Sequence, residues 1–384
     1  MRLIYLDNAA TTKLAQEVAD AMVPVLCEVY GNPSSSHAIG RKAKALVETS
    51  RRDIAKRLGC EPRSIIFTSG GTEADNLALR AAVKDLGCKR IVTSRAEHSA
   101  VIASAEKMAD IFDVEVVYVN HHPDGMVDCE HLKEILASGP QTLVSLMHAN
   151  NEVGVIQPLE VISNICKEAG AFLHSDTVQT MGHYPICLDA LDIDFLTCSA
   201  HKFHGPKGTG FLYTHPNNKI NSQIVGGGQE RGMRSGTENL HGIVGLAAAI
   251  DLAYADLEEH TSHVRAIKKR MVNGLLAKHP GVQFNGDSHL ESRLYTVLNV
   301  KFPPHPNSGM ALFLLDLEGI SCSGGSACSS GATTGSHVLK ALGYHDPKCA
   351  SLRFSFSRYT TEEDIDTALE AISRVFSPVE EDAV

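Results

Sequence analysis

The sequence predicts an α/β protein, a large domain with a mostly parallel central sheet followed by a smaller α/β domain. Three observations lead there. From about residue 60 to 215, short apolar runs alternate with stretches of helical spacing, and parallel strands need crossovers that carry helices. The polar, chemically able residues fall directly behind those runs, where open α/β sheets bind ligands. Finally, 384 residues with 43% apolar and 21% charged side chains can bury a substantial core without disulfides or metals, which excludes a small stapled module and a disordered chain.

The amino terminus, MRLIYLDNAATT, has Arg2 as its only basic residue and no apolar run of secretion-signal length. No stretch reaches the ~18 uninterrupted apolar residues of a membrane span. A net charge of -10 disfavours a polyanionic partner, so neither nucleic acid nor membrane is expected. Ten cysteines stand singly, with no C-x-x-C pair, the usage of a reducing cytoplasm in which a functional cysteine acts as a thiol.

Strands are expected at 64–68, 90–94, 114–120, 142–147, 171–175 and 195–199, where β-branched and apolar residues cluster. Behind them stand Ser69 to Glu73, Glu97 and His98, Asn150 to Glu152, Asp176 and Gln179, and His201 and Lys202. Five strand ends therefore face one site. The stretch GGGQERGMRSGT at 226–237 reads as an ordered loop. Beyond it Leu240, Ile243, Val244, Ala247, Ile250, Tyr254 and Leu257 keep the spacing of an amphipathic helix that runs towards Leu276 with one break and bridges two domains. Strand-like runs at 296–300 and 351–355 and helices at 308–317 and 361–376 make the smaller domain. Between them SCSGGSACSSGATTGS at 321–336 is dominated by Gly and Ser, a composition that predicts a mobile segment.

Each candidate residue has an ordinary reading beside the chemical one. A strand followed by Gly70-Gly71-Thr72 and a helix offers backbone N–H groups and a positive dipole end to an anion; Thr72 is equally able to be a plain helix cap. Asp176 either caps a helix or holds a proton on a heteroaromatic nitrogen, with Gln179 reaching the same ligand. His201 and His204 lack the acid or cysteine spacing that a metal site requires, and no metal is expected. Lys202 is a surface lysine or, beside Asp176 and the anion site, a carbonyl-trapping amine. His98 fills space or stacks on a planar ligand. Cys328, with only Gly and Ser around it, should be an accessible thiol; Cys322 follows a strand-like run and is the weaker candidate.

An anion-binding helix start, a carboxylate for a ring nitrogen, a stacking imidazole and a reactive lysine describe a pyridoxal 5′-phosphate site. The sequence resembles the cysteine desulfurases of the NifS/IscS-like group I, fold-type I members of the class V aminotransferase family. The resemblance is carried by YLDNAATT (5–12), GNPSSSH (31–37), FTSGGTEADN (67–76), AEHSAV (96–101), MHANNEVGVIQP (147–158), HSDTVQ (174–179), SAHKFHGPKGTG (199–210), RGMRSGTEN (231–239), SGGSACSSG (323–331) and LRFSFSRYTTEEDID (352–366).

The resemblance implies roles residue by residue. Lys202 is expected to hold the cofactor covalently, His98 to stack on it and Asp176 to pair with its ring nitrogen. Asn151 and Gln179 would contact the ring and its phenolic oxygen. Gly71, Thr72, Ser199 and His201 would bind the phosphate, joined by Thr237 from a neighbouring subunit, which implies a homodimer. Arg353 would grip the carboxylate of L-cysteine near Asn32, and Cys328 would take the sulfur as a persulfide, leaving L-alanine. The implied organisation is a cofactor-binding domain over 12–258 and a small domain from 1–11 and 259–384 that carries the cysteine segment. The acidic end SPVEEDAV differs from the longer tail of relatives dedicated to the general iron-sulfur scaffold, so the acceptor stays open among such a scaffold, a tRNA-thiolation protein and a cofactor-biosynthesis enzyme. An aminotransferase, a selenocysteine lyase and a non-catalytic sulfur carrier are the rival readings; the aminotransferase has no need of the Cys328 thiol, and the carrier would make no alanine from L-cysteine.

Overall fold

Hydrophobic patterning places the strands, and connection lengths decide their direction. The computed structural model describes residues 2–324 and 335–377. The chain opens with β1 (Ile4–Tyr5), α1 (Gln16–Glu28) and α2 (Ala38–Leu58). It then alternates through β2 (Ile65–Thr68), α3 (Gly71–Lys84), β3 (Arg90–Thr93), α4 (Ser99–Phe112), β4 (Glu115–Tyr118), α5 (Cys129–Leu136), β5 (Thr142–Ser145), α6 (Leu159–Ala169) and β6 (Phe172–Asp176). Next come β7 (Phe195–Ser199) and β8 (Gly210–Thr214). These strands form one seven-stranded sheet in the order β2-β8-β7-β6-β5-β3-β4. β4, β3, β5, β6 and β7 run parallel.

β8 departs from the sequence expectation, which has no strand at 210–214. It lies antiparallel between β2 and β7. The residues 200–209 are too few for a crossover, so the chain returns alongside β7 in the reverse direction. The strand ends carrying Thr68, Ser145, Asp176 and Ser199 still share one edge of the sheet, because β2 runs with the parallel set.

The 240–276 helix breaks as expected, into α7 (Leu240–Ala255) and α8 (Leu257–Lys278), which meet at 74°. α7 is not amphipathic. It packs against both α1 and α2, so Leu240, Ile243, Leu246, Ala247, Ala249, Ile250 and Ala253 are all buried. Among the described residues no single helix is long and apolar enough to cross a membrane.

The remaining elements are β9 (Gln283–Phe284), β10 (Val297–Phe302), α9 (Ala311–Leu317), β11 (Ile320–Ser321), α10 (His337–Ala341), β12 (Ala350–Ser355) and α11 (Glu362–Val375). The second sheet, β12-β10-β9, is antiparallel. A separate apolar cluster gathers Val264, Met271, Leu298, Phe354 and Ile372 and takes in Ile4 and Leu6 from the amino terminus. β1 pairs with β11. The first residues of the chain thus bridge the second core to the ligand end of the large sheet.

Candidate active site

One cavity of about 220 Å³ opens beyond the carboxyl ends of β6 and β7. Its walls include Gly71, Thr72, His98, Asn151, Asp176, Gln179, Ser199, His201, Lys202 and Arg353. Ten residues singled out from the sequence are therefore brought together. Three are not. Asn32 is exposed in the turn before α2, where its Oδ1 accepts from the Ser34 N–H at 2.8 Å. Thr237 is exposed in the 226–239 loop. Cys328 lies outside the described residues.

The anion end comes from the start of α3. Its N-cap is Gly70, at φ +150°, and Thr72 sits inside the first turn. The alternative in which Thr72 caps the helix is thereby removed, because Gly70 holds the capping position. Gly71 is favoured by space, since a Cβ there would press on Val178 Cγ2 at 3.0 Å. The first-turn N–H groups have no intrahelical acceptors and carry the positive end of the dipole.

At the other end Asp176 closes β6. Its Oδ1 accepts from the Val178 N–H at 2.9 Å, and Oδ2 has no hydrogen bond among the described residues. Burial first, then the neighbouring Asp75, raises its carboxyl to about 6. A polar chain stands behind it. Ser145 Oγ and His174 Nδ1 are 2.8 Å apart, His174 Nε2 lies 3.1 Å from Thr197 Oγ1 and 3.5 Å from Asp75 Oδ1. His174 is pushed down to about 4 by burial, so it is neutral at pH 7 and brings no charge to either carboxyl.

His98 is the N-cap of α4, and its Nδ1 accepts from the Ala100 N–H at 3.2 Å. That bond places the ring proton on Nε2 and keeps the imidazole neutral; burial and, among neighbouring charges, Lys202 lower its pKa, against the pull of Asp176. A neutral ring held by its own helix suits stacking on a heteroaromatic plane. Lys202 Nζ donates to the carbonyls of Ala9 and Ala10 at 2.6 and 2.8 Å, and Gln179 Nε2 donates to the same Ala9 carbonyl at 3.2 Å. His201 Nδ1 lies 3.0 Å from Thr11 Oγ1. His204 turns elsewhere, with Nδ1 2.8 Å from the Lys13 carbonyl and its ring edge-on to Tyr359. The two imidazoles of that H-x-x-H run therefore serve different neighbourhoods.

Arg353 is 1% exposed. Its guanidinium donates to the Asn151 carbonyl at 3.0 Å and to Asp7 Oδ1 at 2.8 Å, and its buried Nε has no partner among the described residues. Two features of this corner escape a sequence reading. Asp7 already balances the arginine, and Asp75 reaches the cavity from inside α3. Their only signal is a carboxylate in an otherwise apolar or helical run. Asn150, by contrast, spends its amide on Ala96, Glu152 and Val153, and only its neighbour Asn151 lines the cavity. Glu97 likewise turns away to accept from the Met147 N–H at 2.8 Å.

The donor set fits pyridoxal 5′-phosphate: a buried carboxyl for a ring N–H, a glycine-lined anion turn at the far end, an amine and a neutral imidazole between them, and an arginine whose Nε is unbonded among the described residues for a carboxylate.

Comparison with known proteins agrees. A model of the aminotransferase class-V family matches residues 4–368. The chain is similar to "Cysteine desulfurase IscS" of Dictyoglomus turgidum, 40% identical over 97% of this chain and 94% of the relative. Among solved structures it resembles a "NIFS-LIKE PROTEIN" with a TM-score of 0.88 and 37% identity, covering 98% of this chain and 99% of the other. "SspA in complex with cysteine" superimposes with a TM-score of 0.80 and 31% identity, over 93% and 100% of the two chains.

Proposed function

Since this chain belongs to the aminotransferase class-V family and is a pyridoxal 5′-phosphate-dependent cysteine desulfurase of the NifS/IscS-like kind, we propose that it converts L-cysteine to L-alanine by moving sulfur onto Cys328. The observation that carries the site assignment is the cavity in which Lys202, Asp176, His98, the α3 turn and Arg353 meet.

Lys202 would hold the cofactor and, as an amine, would take up the α-proton of the amino acid substrate. Asp176 would keep a proton on the ring nitrogen, His98 would pack against the ring, and Asn151 and Gln179 would orient it. Gly71, Thr72, Ser199 and His201 would hold the phosphate. When bound, the cofactor supplies a protonated ring that accepts the electron pair released by the substrate. Arg353 holds the substrate carboxylate, with Asn32 near it. The Cys328 thiolate attacks the substrate sulfur; the carbon–sulfur bond breaks, a sulfur–sulfur bond forms, and the proton inventory of a thiol and L-cysteine becomes that of a persulfide and L-alanine. Burial sets four other cysteines aside, because Cys60, Cys88, Cys166 and Cys322 are all pushed up to about 12 and hold little thiolate at neutral pH; the choice of Cys328 over the exposed Cys27 and Cys187 rests on the family resemblance of its segment.

Mass spectrometry after brief exposure to L-cysteine tests the assignment. The added sulfur is expected on Cys328. Cys328→Ala should lose alanine formation by roughly 10³-fold or more while keeping the cofactor's visible absorbance. An aminotransferase would turn over unchanged in that variant, and a sulfur carrier would make no alanine in any form.

The chain is read as a cytoplasmic homodimer that passes sulfur to an acceptor protein, an iron-sulfur scaffold being one candidate. Tyr30 and Val225, 81% and 83% exposed, flank the Asn32 turn and the Thr237 loop, and Gln229 Nε2 donates to Ser34 Oγ at 3.4 Å between those segments. Exposed apolar side chains beside two site residues that miss their own cavity support donation of Thr237 to a second copy. Light scattering should give twice the chain mass; a monomer that retains full activity would refute it.

A further inference from the structure

One ion pair joins the anion-binding turn to the 226–239 loop. Arg234 Nε and Nη2 donate to Glu73 Oε1 and Oε2 at 2.8 and 3.2 Å, the planar fork that fixes orientation as well as distance. Glu73 Oε2 also accepts from the Ser69 N–H at 2.8 Å. The carboxylate thus holds both sides of the glycine turn, at Ser69 before it and at its own helical position after it. Arg234 is outside the cavity and touches none of the expected ligand groups.

The loop itself is pinned from the opposite side. Arg51, buried, makes two bonds of 2.8 Å to Glu230, and Glu230 Oε2 accepts from the Phe67 N–H of β2 at 2.9 Å. Glu230 and Arg231 sit at φ +46° and +56°, a left-handed geometry unusual for such residues and one that needs surrounding contacts to persist. Ser235 Oγ closes the loop on the Gly227 carbonyl at 2.6 Å. The result is a braced arm whose only ionic hold on α3 among the described residues is Arg234, three residues before Thr237.

We propose that Arg234 is a positioning residue for the cofactor phosphate, acting through Glu73 to set the turn whose N–H groups receive it. This rests on the reading of the cavity as a pyridoxal 5′-phosphate site and adds a residue that does not touch the ligand. Its effect must pass through the phosphate end alone.

That selectivity gives the test. Cofactor-free wild type, Arg234→Gln and Arg234→Lys are titrated with pyridoxal 5′-phosphate and, separately, with pyridoxal, following absorbance. The Kd for pyridoxal 5′-phosphate should rise about tenfold in Arg234→Gln, as for loss of one charge-assisted bond, and less in Arg234→Lys. The Kd for pyridoxal should stay unchanged in both. Adding Arg234→Gln to Glu73→Gln should cost nothing beyond Glu73→Gln alone. Equal weakening of both ligands, or wild-type affinity for pyridoxal 5′-phosphate in Arg234→Gln, overturns the proposal. A wild-type chain that binds neither ligand overturns the cofactor reading instead.

Discussion

Burial and the nearby Asp75 carry the Asp176 carboxyl up to about 6, with His98 pulling the other way. In an unfolded chain the same group titrates at 3.8. Between these values the folded state binds more protons than the unfolded one, so this group's contribution to stability falls as pH rises through the window and stays unfavourable above it. A ring N–H⁺ placed against Asp176 offsets that penalty only where the carboxylate is ionised. The rise in Tm on adding pyridoxal 5′-phosphate should therefore be larger at about pH 7.5 than at about pH 5, and Asp176→Asn should flatten the difference; scanning fluorimetry on both forms checks it. The carboxylate itself was legible in the sequence as a polar residue closing an apolar strand, and so were Lys202, His98 and the glycine turn. Its electrostatic setting was not, because Asp75 and His174 come from a helix and a strand whose local patterns look like ordinary burial. Nor could the linear order tell Asn150 from Asn151, since one amide is consumed by three backbone groups and the other faces the cavity.

At the scale of elements, the six strands expected from apolar runs are present, with ends shifted by a residue or two, and the missing one is informative. The segment GTGFLYT at 208–214, which ends in β8, starts with glycines that read as loop, and its return direction depends on the length of the preceding connection rather than on any residue in it. Gly210 pairs opposite both Ser199 and Thr68. A Cβ at this position would meet the Cys198 carbonyl oxygen and come within 2.9 Å of Gly70 Cα. The glycine therefore lets β8 pass directly beneath the anion turn. Gly210→Ala should destabilise the protein by about 2 kcal/mol, the usual cost of overpacking, and should weaken cofactor binding together with it. Urea denaturation and a cofactor titration measure the two effects. A variant of unchanged stability and affinity would mean that this strand does not support the turn. α7 failed its amphipathic expectation for a related reason, because two flanking helices, unseen in its own periodicity, cover its outer face.

For the whole molecule, buried imidazoles dominate the response to acid. Where α8 and the second sheet approach the seven-stranded sheet, His183 Nε2 lies 3.1 Å from the Lys202 carbonyl and its Nδ1 3.1 Å from the Tyr295 hydroxyl. The His260 ring is 5.6 Å away with both nitrogens buried and unbonded. Burial lowers His183 and His204 to about 4 and His260 to about 2, with Arg358 near all three and His263 also facing His260. His148, His174 and His201 are likewise held at about 4 by burial. An unfolded chain protonates these groups near 6.5, so stability is fully present above that pH and is lost as pH falls towards 4. The buried acids Asp75, Asp176 and Glu97 act in the opposite sense, since burial raises all three. The lowered imidazoles outnumber the raised acids, so unfolding takes up protons on balance as the pH falls. The cofactor-free protein is thus expected to lose Tm progressively between about pH 6.5 and pH 4.5. His260→Phe, which removes one of these imidazoles and an unsatisfied polar ring, should lessen that slope while raising stability in acid. A Tm that holds constant or climbs over this interval would show that the junction beneath Lys202 admits water and does not keep its histidines neutral.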